Sequence, residues 1–347
     1  MGGGVSTPQM RGDPSGSRYE CIVAQTPSTE RAVSQQDGYA AIKKCWCLST
    51  DDVHLDQEPA CIWSGAHASV HCAIHCAQPV VAKILATPQP RRQAELLERE
   101  LHALSRLQDC PNIVRLHGWT RLDHASPVRV HGDAYVLVMA RAVRDLRDDL
   151  LRPTSAMRDT RTLLGVARAM RAVHDARLAH LDLNTSNVLL AADDTPWLCD
   201  FGLCATYDEL AASPREVGRR GTLTYHAPEI FTPDSPSMPL AGCECERFGL
   251  GLDVYAFAVL AWSVLAREEP WEGVPAIAIQ MSVRAGERPG GDTNWQGAWR
   301  KRGGSLAVVE LIDACWHPRA AERPAFDDIT ARLEASLVET GKGKTAW

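Results

Sequence analysis

Apolar and polar positions alternate where the organised part of the chain begins. Val70, Cys72, Ile74 and Cys76 fall on every second residue, and the run 80–85 is apolar apart from Lys83. Period-two spacing and short apolar runs of this kind predict strands. From 93 to 107 the period changes, with Leu97, Leu101 and Leu104 recurring at helical spacing. Glu100 falls on the same stripe as those leucines. A carboxylate on a buried stripe is unfavourable unless paired, so Glu100 requires a cationic partner. Two further strand-like runs follow at 112–119 and 134–139. Beyond Arg141 the pattern is helical. Leu163, Val166, Ala167, Met170 and Val173 form one stripe, 254–265 is apolar nearly all round apart from Tyr255 and Ser263, and 326–337 is amphipathic. A strand-rich first half and a helix-rich second half predict an α+β fold in two lobes.

Residues 1–52 carry Gly, Ser, Pro, Gln and Thr without periodicity, and read as a mostly disordered extension. The expected boundaries are therefore 53–141 for the small lobe, 142–338 for the large lobe and 339–347 for a tail. Composition fits this picture: 45% of the 347 residues are apolar and 23% charged, a globular balance. A net charge of −6 with no basic run gives no electrostatic case for nucleic acid. No apolar stretch reads as long enough to span a bilayer, and no secretory signal opens the chain. The 12 cysteines are scattered, several inside apolar segments such as Trp197-Leu198-Cys199 and Ala314-Cys315-Trp316. That distribution suits free thiols in a reducing compartment, so a cytoplasmic protein is expected. Cys45/Cys47 and Cys243/Cys245 lack the spacing of a zinc site. Met1-Gly2-Gly3-Gly4-Val5-Ser6 fits the myristoylation pattern with Gly2 as acceptor, and also reads as a flexible leader. One such chain would give only weak, reversible membrane association.

The chemistry-bearing residues lie in order along the organised region. Val81-Ala82-Lys83 is followed by Glu100, then by His180-Leu181-Asp182-Leu183-Asn184-Thr185-Ser186-Asn187, Asp200-Phe201-Gly202 and Ala227-Pro228-Glu229. Each motif alone is weak. Together, in this order and spacing, they resemble the eukaryotic protein kinases from about residue 54 to 338. The resemblance implies ATP and Mg²⁺ as cofactors and protein substrates as partners. It implies that Lys83 holds the α/β-phosphates, Glu100 pairs with it, Asp200 and Asn187 hold metal, and Asp182 handles the substrate hydroxyl's proton. Ile62, Gly65, Val70, Val81, Met139 and Leu189 would line the nucleotide pocket, with Met139 beside the hinge. Phe201 and Gly202 would belong to the activation segment, where Thr222 would contact Asp182. Arg323 would pair with Glu229. Asp253 would begin the buried helix, cap its free N–H groups and brace the catalytic loop. The segments Asp253-Val254-Tyr255-Ala256-Phe257, Glu269-Pro270-Trp271, Cys315-Trp316 and Arg323-Pro324-Ala325-Phe326 look like the tyrosine-kinase-like group, which includes Raf-type and plant kinases. Asn184 and Ser186, where tyrosine kinases carry arginine, favour serine/threonine specificity.

Four departures from that pattern bear on activity. The glycine-rich loop at 62–70 keeps only Gly65, with Trp63 and Ala68 where glycines let backbone approach phosphate. Val81 replaces an alanine and would crowd adenine. Leu181 replaces the arginine before the catalytic aspartate, which predicts weak control by activation-segment phosphorylation; Thr206, Tyr207 and Ser213 are the candidate sites. Asn184 replaces the lysine at the γ-phosphate and supplies no charge. Two functions therefore stand open: an active serine/threonine kinase, which the five polar groups Lys83, Glu100, Asp182, Asn187 and Asp200 favour, and a pseudokinase acting as a nucleotide-binding or scaffolding module. The Pro- and Gly-rich stretch 232–251 reads as a surface insertion.

Overall fold

The computed structural model describes residues 42–55, 61–65, 68–85, 89–122, 134–231, 243–291 and 293–342. Gly2, Ala66, His67 and 232–242 lie outside them. Strands β1 (Val53–Leu55), β2 (Cys61–Ser64), β3 (Ala68–His75), β4 (Gln78–Leu85), β5 (Leu116–Leu122) and β6 (Ala134–Ala140) form one antiparallel sheet. Its order is β1-β3-β4-β6-β5, with β2 pairing a further stretch of β3. A two-residue turn joins β3 to β4, and its Cys76 and Ala77 both take positive φ, 49° and 59°. That hand of turn matches the twist of the flanking strands. Cys76 is thus a turn residue and not part of the expected strand alternation. The alternation also fails at His71, Cys72 and Ala73, which are all buried. The cause is that both faces of the sheet are covered, with Val81 and Leu85 in one core and Val80, Ala82 and Ile84 in another.

Helix α1 (Pro90–Leu107) packs on β4 and β6. Its proline sits in the first turn, where a missing N–H is harmless, and Leu97, Leu101 and Leu104 are all buried. Packing also begins upstream of Val53, so the expected boundary of the small lobe moves. Residues 42–45 form a helical turn, Ile42 and Trp46 pack against the main core, and Leu48 packs against the second. One residue explains why no periodicity marks this stretch. Trp119 donates from its indole to Lys43 O at 2.8 Å, and its backbone exchanges bonds with Trp46 and Leu48.

The large lobe follows the hinge as β7 (Arg144–Asp145), α2 (Leu146–Asp149), α3 (Ala156–Asp175), β8 (Leu178–Ala179), β9 (Val188–Leu190), β10 (Pro196–Leu198), β11 (Ala205–Thr206), α4 (Tyr207–Ala212), α5 (Pro214–Gly218), α6 (Cys243–Ala266), α7 (Ala276–Ala285), α8 (Trp295–Lys301), α9 (Leu306–Cys315) and α10 (Phe326–Lys342). Two small ribbons, β7-β9-β10 and β8-β11, fix the loops between them. Helix α6 is the lobe's centre, with α3, α4, α8 and α9 around it. By length and composition its stretch Phe248–Ala266 could cross a membrane, contrary to the sequence reading that no such stretch exists. Here it is mostly buried within the protein, as the core helix of a packed lobe is.

Candidate active site

Lys83 lies inside β4, paired in register with Val70 of β3 and Leu137 of β6. The strand pleat therefore aims it at α1, where Glu100 holds the same buried stripe as the leucines. Lys83 Nζ donates to Glu100 Oε1 at 2.9 Å, to Glu100 Oε2 at 2.8 Å and to Asp200 Oδ1 at 2.8 Å. Glu100 is 1% exposed and Lys83 7%. Burial by itself would lower the lysine's pKa, but the carboxylates of Asp200 and Glu100 outweigh it and hold the ammonium above the ordinary lysine range. Burial pushes the Glu100 carboxyl up against the pull of Lys83. Burial would push Asp200 up too, but Lys83 and the Gly202 amide hold it below the ordinary carboxylate range.

The loop 180–187 is built on a core helix. Because α6 starts at Cys243, Asp253 lies in its interior and does not cap it, a correction to the sequence reading. Its carboxylate accepts instead from His180 N at 2.9 Å and Leu181 N at 2.8 Å, and lies 2.9 Å from His174 Nε2. Leu181 takes left-handed backbone, φ 65°, and so does Asp200, φ 61°. The His180 ring meets Phe201 edge-on at 5.0 Å and lies 3.1 Å from Cys199 O. His180 is thereby a packed residue with both neighbours fixed.

Asp182 is held from three sides. Thr222 Oγ1 donates to its Oδ1 at 2.7 Å, Asn184 Nδ2 to the same oxygen at 3.1 Å, and Asn187 Nδ2 to Oδ2 at 3.0 Å. Asn184 also caps the following 3₁₀ turn, its Oδ1 accepting from Ser186 N and Asn187 N. The residue standing in the lysine's place is therefore committed to the loop's own geometry. Among the described residues, two side-chain oxygens in this cluster have no hydrogen-bond partner: Asp200 bonds only through Oδ1, and Asn187 donates only from Nδ2. Asp200 Oδ2 and Asn187 Oδ1 are hard oxygen donors of the type Mg²⁺ prefers.

A cavity of about 350 Å³ opens beside these groups, lined by the apolar Ile62, Val70, Val81, Met139 and Leu189 and by charged residues that include Lys83, Arg144, Asp145 and Asp200. An apolar surface combined with charged groups suits a flat heterocycle carrying an anionic tail. It runs on into a cleft of about 690 Å³ that holds Asp182, Asn184, Asn187 and Thr222. Trp63 lines both spaces and is 50% exposed. Its indole lies over Gly65, so closely that a side chain at Gly65 would collide with it. Gly65 N donates to Ala68 O at 2.9 Å.

The segment 200–229 is folded against both lobes. β11 pairs with β8, and Tyr207 is buried with its hydroxyl donating to His174 O at 3.1 Å. Of the three hydroxyls proposed for modification, Tyr207 is thus enclosed, Thr206 is used as the N-cap of α4, and Ser213 is exposed. Arg323 grips Glu229 through two bonds of 2.7 and 2.9 Å. Both partners are fixed, a geometry that favours a strong ion pair.

Three arrangements escaped sequence reasoning. Arg99 of α1 reaches Glu209 of α4 at 3.0 Å; the Thr206-Tyr207-Asp208-Glu209 capping signature was the available signal. Thr185 Oγ1 donates to Glu269 Oε1 at 2.8 Å and meets the Tyr225 hydroxyl at 3.2 Å. Burial raises Glu269 and carries the Tyr225 phenol up to about 12. Asp149, Asp159 and Asp194 share Arg144, Arg158, Arg267 and Arg302 in one network below the hinge. Its members are spread from 144 to 302, so no local spacing marks it.

Comparison with known proteins agrees with this geometry. The family model for the protein kinase domain matches residues 59–333. A probable LIM domain-containing serine/threonine-protein kinase of Dictyostelium discoideum is 27% identical over 79% of this chain and 38% of its own length. The serine/threonine-protein kinase mos of Patiria pectinifera is 26% identical over 85% of this chain and 78% of its own. The human ankyrin repeat and protein kinase domain-containing protein 1 is 31% identical over 49% of this chain and 21% of its own. The chain spans 38% and 26% of the two LIM-domain relatives it matches.

Proposed function

This chain belongs to the protein kinase domain family, and we propose that it transfers the γ-phosphoryl group of ATP to serine or threonine hydroxyls of proteins. The carrying observation is that Lys83 is bonded at once to Glu100 and Asp200, beside an Asp182 held by Thr222 and Asn187 in the adjoining cleft. Phosphoryl transfer needs positioning and charge neutralisation more than covalent help. Lys83 would hold the α/β-phosphates, with Glu100 fixing its Nζ. Asp182 would orient the substrate hydroxyl and take its proton, for which Thr222 and Asn187 set the carboxylate's direction. Asp200 and Asn187, through their two unused oxygens, would hold Mg²⁺. When bound, that ion supplies the charge that neutralises the phosphates. Within the family, the Asp253 segment, Glu269-Pro270-Trp271 and Arg323-Pro324-Ala325-Phe326 support placement in the tyrosine-kinase-like group.

Two observations favour a second reading, a nucleotide-binding module with little transfer. Asn184 brings no cation to the cleft, and the Trp63 indole covers the loop's remaining glycine. Radiolabelled ATP, Mg²⁺ and a generic protein substrate, run beside an Asp182→Asn control, decide between the two. Transfer no greater than the control's would overturn the first reading. A thermal-shift titration with Mg-ATP would then test the second.

A further inference from the structure

The activation segment carries its own anion. In the sequence, Leu181 removes the cation that ordinarily receives a phosphate there, and the structure shows what holds the segment instead. Glu209 of α4 offers one oxygen to Arg99 Nη2 at 3.0 Å and the other to Thr206 N at 2.9 Å. Thr206 Oγ1 in turn accepts from Glu209 N, completing a capping box. Arg99 uses its second nitrogen on Cys204 O at 2.8 Å, and Arg220 approaches the carbonyls of Leu203 and Cys204. Arg99 therefore ties α1 to the activation segment at two points, and its neighbour on the helix is Glu100, the partner of Lys83.

We infer that the Arg99–Glu209 pair is a built-in latch that keeps α1 turned inward and the activation segment folded, doing with a carboxylate what a phosphate would do elsewhere. Arg99 and Glu209 are positioning residues that act through Glu100 and touch neither nucleotide nor substrate. A carboxylate is a weaker anchor than a phosphate, having one charge and two oxygens. It is nevertheless permanent, so the kinase is set on without an activating modification. Thr206 supports the same conclusion, because its hydroxyl is occupied as a cap. The inference rests on the phosphotransfer reading above, and its test is arranged to separate the two.

The test is a double-mutant cycle on the full chain. Glu209→Gln keeps an oxygen for the capping box and removes the charge, while Arg99→Met keeps the length of the stem. Each single variant should lower kcat about fivefold, the scale of a partly exposed ion pair. The double variant should fall no further than either single, because residues acting as one pair are not additive. Phosphatase treatment of the wild type should leave kcat unchanged. Amides at 204–212 should exchange hydrogen faster in both single variants than in the wild type, a readout that needs no catalysis. Singles with wild-type kcat, losses that multiply in the double variant, or a phosphatase-sensitive wild type would each overturn the latch. If the wild type transfers no more phosphate than Asp182→Asn, the phosphotransfer reading fails. Hydrogen exchange then decides the latch alone, with unchanged protection counting against it.

Discussion

Around Lys83 a single lysine is bonded to Glu100 and Asp200, with Asp182 in the same cleft; around Asp149 four arginines serve three aspartates. Both clusters carry buried carboxylates, and both lie close to the hinge-side cavity, which Arg144 also lines. They differ in which charge is in excess. The first is short of cations and keeps two hard oxygens unused, so it is completed only by something brought from outside. The second is over-supplied with guanidinium donors, and every aspartate in it is bonded to arginine, which leaves no demand for a ligand. A buried cluster with a deficit is built to bind, whereas one with a surplus is built to hold elements together. Arg158 joins α3 to Asp194 and Asp149, while Arg267 and Arg302 bring the end of α6 and the segment after α8 onto Asp159.

If that contrast is sound, substitutions in the two clusters should fail in different measurements. Asp182→Asn should lower phosphate transfer about 1,000-fold while urea unfolding stays as in the wild type. Asp149→Asn should do the reverse. It removes the buried charge that three half-buried arginines share and should cost about 3 kcal/mol of unfolding free energy, with kcat per folded molecule retained. Saturating Mg-ATP should raise the unfolding midpoint, worth about 2.7 kcal/mol at a hundredfold excess over Kd. A chelator should cancel most of that gain, and Asp200→Asn should make the protein indifferent to the metal. A metal-independent shift would break the deficit argument. Asn184→Lys adds the missing cation and should raise kcat about tenfold, at a cost of about 1 kcal/mol because it removes the cap on the 3₁₀ turn. No gain would show that charge at this position does not limit the reaction.

The smallest effect is in pH. Arg158, with help from Arg144, pulls the Asp194 carboxyl from its ordinary value of 3.8 to about 2 against the burial that would raise it. A carboxyl lowered on folding stabilises the fold above its unfolded value, and that share is lost as pH falls from about 4 to about 2. Asp194 is partly exposed, so solvent screens the contribution to a few tenths of a kcal/mol at most. Asp194→Asn should remove that fraction of the acid transition and leave the activity profile near neutral pH alone.

The same contrast explains what the sequence disclosed. The Lys83 cluster was readable because its residues follow one another in the order and spacing that resemble the kinases', and Glu100 announced its need for a partner by sitting on a leucine stripe. The arginine network was not readable, since its pairs join residues with no shared periodicity. The placement of Asp253 was misjudged for a related reason. The helix runs upstream through Cys243-Glu244-Cys245-Glu246-Arg247, a polar stretch that hides its start. Residues 42–52 went unnoticed because one tryptophan of a distant strand holds them. Lobes and helix faces follow from local period, whereas the short strands and the contacts between distant segments need the folded chain.

The left-handed backbone at Leu181 has one more consequence. A branched side chain in that conformation costs about 1–2 kcal/mol, and the N–H groups of His180 and Leu181, both donating to the Asp253 carboxylate, are what keep it there. The central helix thus holds the loop under tension before any substrate arrives, spending core stability on a shape the loop would not keep unaided. A glycine at this position would let the loop relax to the same shape without strain. Its carboxylate-bearing neighbour would then be aimed as before, but by a spring that is no longer wound.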